Sequence, residues 1–204
     1  MTAAAVATLF PAVPVRTPDA EVDAQFVERW SRRAISERPL TLGQIQSLFE
    51  AARWAPSASN LQPWLFVYES RPESLARARE LLLPTNQRWA NRAPLLVFVF
   101  ARKRHPETLA PLRTAAFDTG AAWQSLALQA HKLGLSTRAM GGIRHDRVHE
   151  ALGVPAEDFE SVIGIAIGYP GERHELPDDL HEKEEPNARK RVSEFAFEGR
   201  YSSP

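Results

Sequence analysis

The chain has 204 residues with 25 Lys plus Arg against 25 Asp plus Glu, so no net charge draws it toward nucleic acid or an anionic membrane. It contains no cysteine, which excludes disulfide frameworks, thiolate nucleophiles, Cys-based zinc sites and Fe–S clusters, and any redox chemistry would need a bound cofactor. No apolar run has the length of a membrane span, and the size suits one domain whose neutral balance leaves self-association unopposed.

Residues 1–22 open on the apolar MTAAAVATLFPAVPV, interrupted by two prolines and with no basic residue ahead of it, so they do not read as a signal peptide. We expect them to form a leader, or an arm that packs on a partner subunit, with 23–204 as a single domain carrying a C-terminal extension. Nothing argues for export, and a cytoplasmic location is expected.

Residues 23–34 fit a helix with Phe26, Val27 and Trp30 on one face. Thr41 caps a second helix, whose apolar residues Leu42, Ile45, Leu48, Phe49 and Ala52 recur at helical spacing, and Pro56 ends it. The run WLFVYE from Trp64 is a strand, Pro72 opens a short helix through Leu82, and PLLVFVFA from Pro94 is a strand covered on both faces. An Ala-rich helix runs from about Thr114 to Leu133 and closes at Gly134. A short strand leads to Gly141-Gly142, a helix covers 145–152 up to Gly153, and SVIGIAIGYPG from Ser161 is a second buried strand and turn. The stretches 101–111 and 170–191 read as loops, and the whole as an α+β sandwich of one sheet with helices around it.

Four segments carry chemistry. In SRRAISER, Arg32, Arg33 and Arg38 offer guanidinium forks, and a helical turn would present Arg32 and Ser36 to one oxyanion; a solvated basic face explains them equally. In APSASNLQPW, Ser57, Ser59 and Asn60 suit a neutral hydrogen-bonding heterocycle, or an ordinary polar loop. Gly141-Gly142 lets backbone approach a flat ligand, or simply makes a turn. Arg189 and Arg191 would point the same way in an extended segment and join Arg32, unless they belong to a solvated tail. His145 and His149 are four apart on a helix, a chelating spacing without an obvious third ligand, so no metal site is expected.

Taken together, RRAIS, PSASNLQPW, NQRWANRAPLLVFVF, DTGAAWQSLALQAHKLGLSTRAMGGI, SVIGIAIGYPGE and the late ARKR resemble the nitroreductase family of flavoproteins, from about Glu28 to Arg191. The resemblance implies an α+β fold with a central, mainly antiparallel sheet flanked by helices. It further implies an intertwined homodimer with FMN at the subunit interface and NAD(P)H as reductant. Arg32, Arg189 and Arg191 would hold the FMN phosphate, with Arg33, Ala34 and Ser36 beside the ribityl chain and pyrimidine edge. Pro56, Ser57, Ala58 and Asn60 would come from the opposite subunit, Asn86 would face the pyrimidine ring, and Gly142, with Gly141 beside it, would set a backbone N–H against flavin N5. No side chain need act as acid or base, because the flavin carries the chemistry.

Two positions depart from the family pattern. Ala34 stands where a Ser is usual, which removes a phosphate hydroxyl. Ser36 stands where Arg or Lys is usual, which removes a cation that would stabilise the anionic reduced flavin, unless Arg38 or Arg33 replaces it in space. The expected activity is hydride transfer from NAD(P)H through flavin N5 to an electron-poor acceptor such as a nitroaromatic or quinone. The alternatives are a flavin-binding sensor or store without turnover, and a specialised flavin reaction such as reductive dehalogenation.

Overall fold

The computed structural model describes residues 16–201. The arm expected over 1–22 therefore lies outside the described residues except for 16–22. Four strands form one antiparallel sheet in the order β1 (Trp64–Glu69), β2 (Leu95–Arg102), β4 (Phe159–Gly168), β3 (Ser136–Met140). β2 lies second in the sheet and is buried almost throughout, which is why its sequence is nearly continuous in apolar residues.

Strand alternation splits the core into two layers. Leu96, Phe98, Phe100 and Ala166 face α3 (Pro72–Glu80) and α4 (Pro84–Ala90), where Leu75, Ala78 and Trp89 meet them. Leu95, Val97, Val99, Ile165 and Ile167 face α2 (Leu42–Arg53) and α5 (Ala115–Lys132), which contribute Ile45, Leu48, Ala122, Leu126 and Ala130. Thr41 closes a capping box on α2 with Gln44, as its sequence position implies. Gly134, at φ +73°, ends α5 in a Schellman motif: Leu135 N–H bonds the Ala130 carbonyl at 2.8 Å and Gly134 N–H that of His131 at 2.9 Å. The helix before β4 is shorter than expected, α6 spanning Val148–Leu152.

The first helix is the main correction. The expected 23–34 helix survives only as α1 (Ala24–Glu28), and the presumed helical pairing of Arg32 with Ser36 does not form. Residues 34–36 run alongside 169–171 instead. Ile35 bridges Pro170, Ser36 N–H bonds the Tyr169 carbonyl at 2.9 Å, and Gly171 N–H bonds the Ala34 carbonyl at 2.9 Å. A helix here would have buried no apolar face, since Phe26 is exposed, whereas the extended path buries Ile35 completely. The crossing is tight: a Cβ on Gly168 would lie 2.5 Å from Ile35 Cγ2 and 2.7 Å from Pro94 Cδ.

The segment 170–191 is also more than a loop. It forms 3-10 turns at Arg173–Glu175 and Asp178–Lys183, and it buries Leu176, Leu180 and Glu184. The stretch 101–111 is partly ordered as well, β2 reaching Arg102 and Arg104 bridging Pro111. No helix among the described residues is long and apolar enough to cross a membrane.

Candidate functional site

The extended run after α1 is anchored by one carboxylate. Glu184, 7% exposed, accepts the backbone N–H of Arg33 on both oxygens at 2.9 Å and that of Ala34 at 3.0 Å. Arg33 Nη1 donates to the neighbouring Lys183 carbonyl at 2.7 Å. Arg32 is 8% exposed, its guanidinium 4.5 Å from the Trp30 ring centroid. Burial lowers its pKa, and the nearby carboxylates of Glu184 and Glu172 pull it back up. Arg138 of β3 donates to the Ser31 carbonyl at 2.5 Å and lies beside Glu184 from the other side. A cleft of about 510 Å³ opens here between Arg32, Arg38, Tyr169, Gly171 and Glu184.

Neither candidate replacement for the cation missing at Ser36 is directed to it. Arg38 stacks 4.0 Å from the Tyr169 ring centroid, and Arg33 reaches the Lys183 carbonyl. The Ser36 hydroxyl accepts the Arg38 backbone N–H at 3.2 Å.

The structure brings Asn86 and Gly142 together. Asn86 Nδ2 donates to the Gly142 carbonyl at 3.0 Å, and Leu83 N–H donates to the same oxygen at 2.9 Å. A Cβ on Gly142 would lie 2.5 Å from Asn86 Nδ2, so the bare backbone is what allows the approach. Gly141 beside it is exposed, with nothing within 4 Å of an added Cβ. His145 turns to Ser161 Oγ at 2.7 Å, and His149 to the Val154 carbonyl at 3.1 Å, so the two imidazoles have separate partners.

The Ser57–Gln62 loop holds an unusual backbone. Ser59, Asn60 and Gln62 all have positive φ, between 47° and 56°, a region that L-residues enter at a cost of about 1–2 kcal/mol each. Two contacts sustain it. Ser57 Oγ accepts Gln62 N–H at 3.0 Å, and the buried Asp118 carboxylate accepts Ala58 N–H at 3.2 Å and the Thr114 hydroxyl at 3.1 Å. Pro56, Ala58 and Asn60 are thereby presented outward, exposed. From sequence, Asp118 reads as an acid favoured at a helix start, with a base role as the unsupported alternative. Replacing Asp118 by Ala should cost about 1–3 kcal/mol and speed amide exchange across 57–62. Exchange at the wild-type rate would mean the loop sustains itself.

The two halves of the expected site lie at opposite ends of α5. Asp118, at the loop end, and His131, which feels the charges of Arg29 and Arg32, are 13 residues apart. That separation corresponds to roughly 20 Å of helix. Arg189 joins the Arg32 end, beside Arg29 and Arg16. Arg191 caps a 3-10 turn at Val192–Glu194, its N–H bonded to Glu194 at 2.7 Å.

The sequence pattern of the nitroreductase family matches residues 27–88 and 75–169. The chain belongs to the nitroreductase family. A crystal structure of an "oxidoreductase containing FMN" superposes with a TM-score of 0.88 at 43% identity, over 93% of this chain and 97% of that one. The NADH dehydrogenase of Thermus thermophilus is 28% identical over 78% of this chain and 94% of its own length. The FMN reductase (NADPH) of Bacillus subtilis is 27% identical over 72% of this chain and 66% of its own length.

Proposed function

We propose that the protein is an FMN-dependent NAD(P)H oxidoreductase that works as a homodimer and reduces electron-poor acceptors such as nitroaromatics or quinones. The observation that carries this is the Asn86–Gly142 pair, a side-chain amide next to a bare backbone segment that a Cβ would close. Such a pair suits the polar edge and the central ring of a flat heterocycle. When bound, FMN supplies the redox chemistry, passing a hydride between NAD(P)H and acceptor at N5. Gly142 would orient that ring through its backbone, and Asn86 would bond its pyrimidine edge. Arg32, Arg189 and Arg191 would hold its phosphate, with Arg33, Ala34 and Ser36 along the ribityl side.

Pro56, Ser57, Ala58 and Asn60 complete the site only from a partner subunit. In their own protomer they sit at the far end of α5 from Arg32. A cytoplasmic location, where NAD(P)H is available, goes with this reading.

The purified protein is expected to be yellow, to release FMN on denaturation and to oxidise NAD(P)H with a quinone acceptor. A colourless protein that takes up no added FMN would overturn the reading. A second reading, flavin binding without turnover, is favoured by Ser36 and by the engagement of Arg33 and Arg38 elsewhere. It predicts the flavin spectrum without steady-state NAD(P)H oxidation.

A further inference from the structure

His145 and Ser161 have no part in the site described above, yet they meet beside it. His145 Nδ1 lies 2.7 Å from Ser161 Oγ, and Nε2, across the ring, lies 3.4 Å from the Gly141 carbonyl oxygen. A carbonyl only accepts, so Nε2 carries a proton when this contact bonds. In the neutral ring Nδ1 is then the acceptor, and the Ser161 hydroxyl donates to it. The serine thereby selects the tautomer that serves Gly141.

A β-bulge aims the serine. Val99 pairs with Ile163 and Phe100 with Ser161, which leaves Val162 without a partner. In an unbroken strand Phe159, Ser161 and Ile163 would share one face. Instead Ile163 packs in the α2–α5 layer and Phe159 in the α3–α4 layer, and Ser161, opposite Phe100, follows Phe159. On that same face Ile143, two residues before His145, comes against Gly164, where a Cβ would lie 2.9 Å from Ile143 Cγ2.

The Gly141 carbonyl and the Gly142 N–H belong to one planar peptide and point in opposite directions. Two donors converge on the oxygen, His145 Nε2 and the Ile143 N–H at 3.0 Å. The N–H at the other end has no acceptor among the described residues. Between two glycines few steric barriers oppose turning the peptide over, so the groups that hold its oxygen decide where its N–H points. Donors on the carbonyl also polarise the peptide and strengthen its N–H.

We propose that His145, set by Ser161, is a positioning residue for the flavin, fixing and strengthening the Gly142 N–H that meets N5. This rests on the function proposed above. Oxidised N5 accepts such a bond through its in-plane lone pair, whereas reduced N5 carries a hydrogen of its own. The His145 contact therefore favours oxidised over reduced FMN and holds the midpoint potential down.

Dissociation constants of oxidised and reduced FMN, and the midpoint potential, are measured on wild type, H145F, H145Q and S161A. His145 is exposed, so all four proteins should share one Tm. H145F keeps a ring of similar size and removes both nitrogens. Its affinity for oxidised FMN is expected to fall about three- to tenfold, one hydrogen bond's worth, with reduced FMN nearly unchanged. The midpoint potential then rises by about 15–30 mV, at about 30 mV per tenfold for a two-electron couple. The glutamine amide places an N–H about where Nε2 stands, so H145Q should recover much of the loss, which a space-filling role would not allow. S161A should show a smaller change in the same direction. H145F that matches wild type in both oxidation states, that weakens both equally, or that H145Q fails to recover would overturn the role of His145 alone. A wild-type protein that binds no FMN would overturn the proposed function, and this role with it.

Discussion

Replacing Glu184 by Ala is expected to destabilise the fold by about 3–5 kcal/mol, because it breaks a buried charge cluster from its acidic side. The carboxylate is 7% exposed and serves the backbone N–H groups of Arg33 and Ala34 at once. Removal leaves both donors in a place that water does not readily reach, and it leaves the buried Arg32 and its neighbour Arg138 with less countercharge. At about 2–4 °C per kcal/mol for a chain of this size, Tm should drop by roughly 6–20 °C. Glu184→Gln keeps one acceptor oxygen and loses the charge, so an intermediate loss is expected. Urea and thermal denaturation of the three proteins would measure it. Wild-type stability in Glu184→Ala would show that Leu176, Leu180 and the 34–36 pairing hold the late segment without the carboxylate. Proteolysis offers a second reading of the same idea. The 176–191 segment should become cleavable in the variant well below its Tm, since the segment has few other buried anchors.

Glu184 also shows where sequence reasoning stopped. It sits in HEKEEP, a charged run of the kind that is normally solvated, and only a residue more than 150 positions upstream makes it a core anchor. The 29–36 stretch failed for the same reason. Its local periodicity favours a helix, but the extended pairing of Ile35 with Pro170 is a long-range event that no window of sequence contains. Elements set by local physics were legible. Thr41 as a helix cap, Gly134 as a helix end and the unbroken apolar run of β2 all formed where expected, because cap and strand burial are decided within a few residues.

The candidate site divides the same way. Asn86 and Gly142 were named from motif resemblance, and the structure sets them side by side. Asp118 was missed as the brace of the Ser57–Gln62 loop, since that contact spans 60 residues. The positive φ of Ser59, Asn60 and Gln62 gave no signal either, because none of these positions is a glycine.

The second large effect is expected at Phe117. Its ring is 81% exposed on the first turn of α5, and Trp54, at the C-cap of the adjoining α2, is 73% exposed. A single exposed apolar residue needs no explanation, but two large rings side by side at the ends of two packed helices, next to the Asp118-braced loop, are what a surface covered by another molecule would present. A second copy of this chain is the occupant that also solves the geometry of the site. The 56–60 loop and the Arg32 end of α5 are separated by roughly 20 Å within one protomer, so one cofactor meets both when the loop is supplied by a partner. In a two-fold interface Phe117 is buried once in each protomer, so two rings contribute, about 1.5–3 kcal/mol each. Phe117→Asp removes both contributions and puts a carboxylate on each side of the interface. The dimer dissociation constant should rise by at least about a hundredfold, with the unpaired charges adding to that. Sedimentation velocity over a concentration series would measure the shift. Flavin affinity should follow the same concentration dependence, tight where Phe117→Asp is still dimeric and weak where it is not. A monomeric variant that holds FMN as tightly as wild type would show that Pro56, Ser57, Ala58 and Asn60 play no part in the site. A variant that stays dimeric at wild-type strength would move the interface to another face.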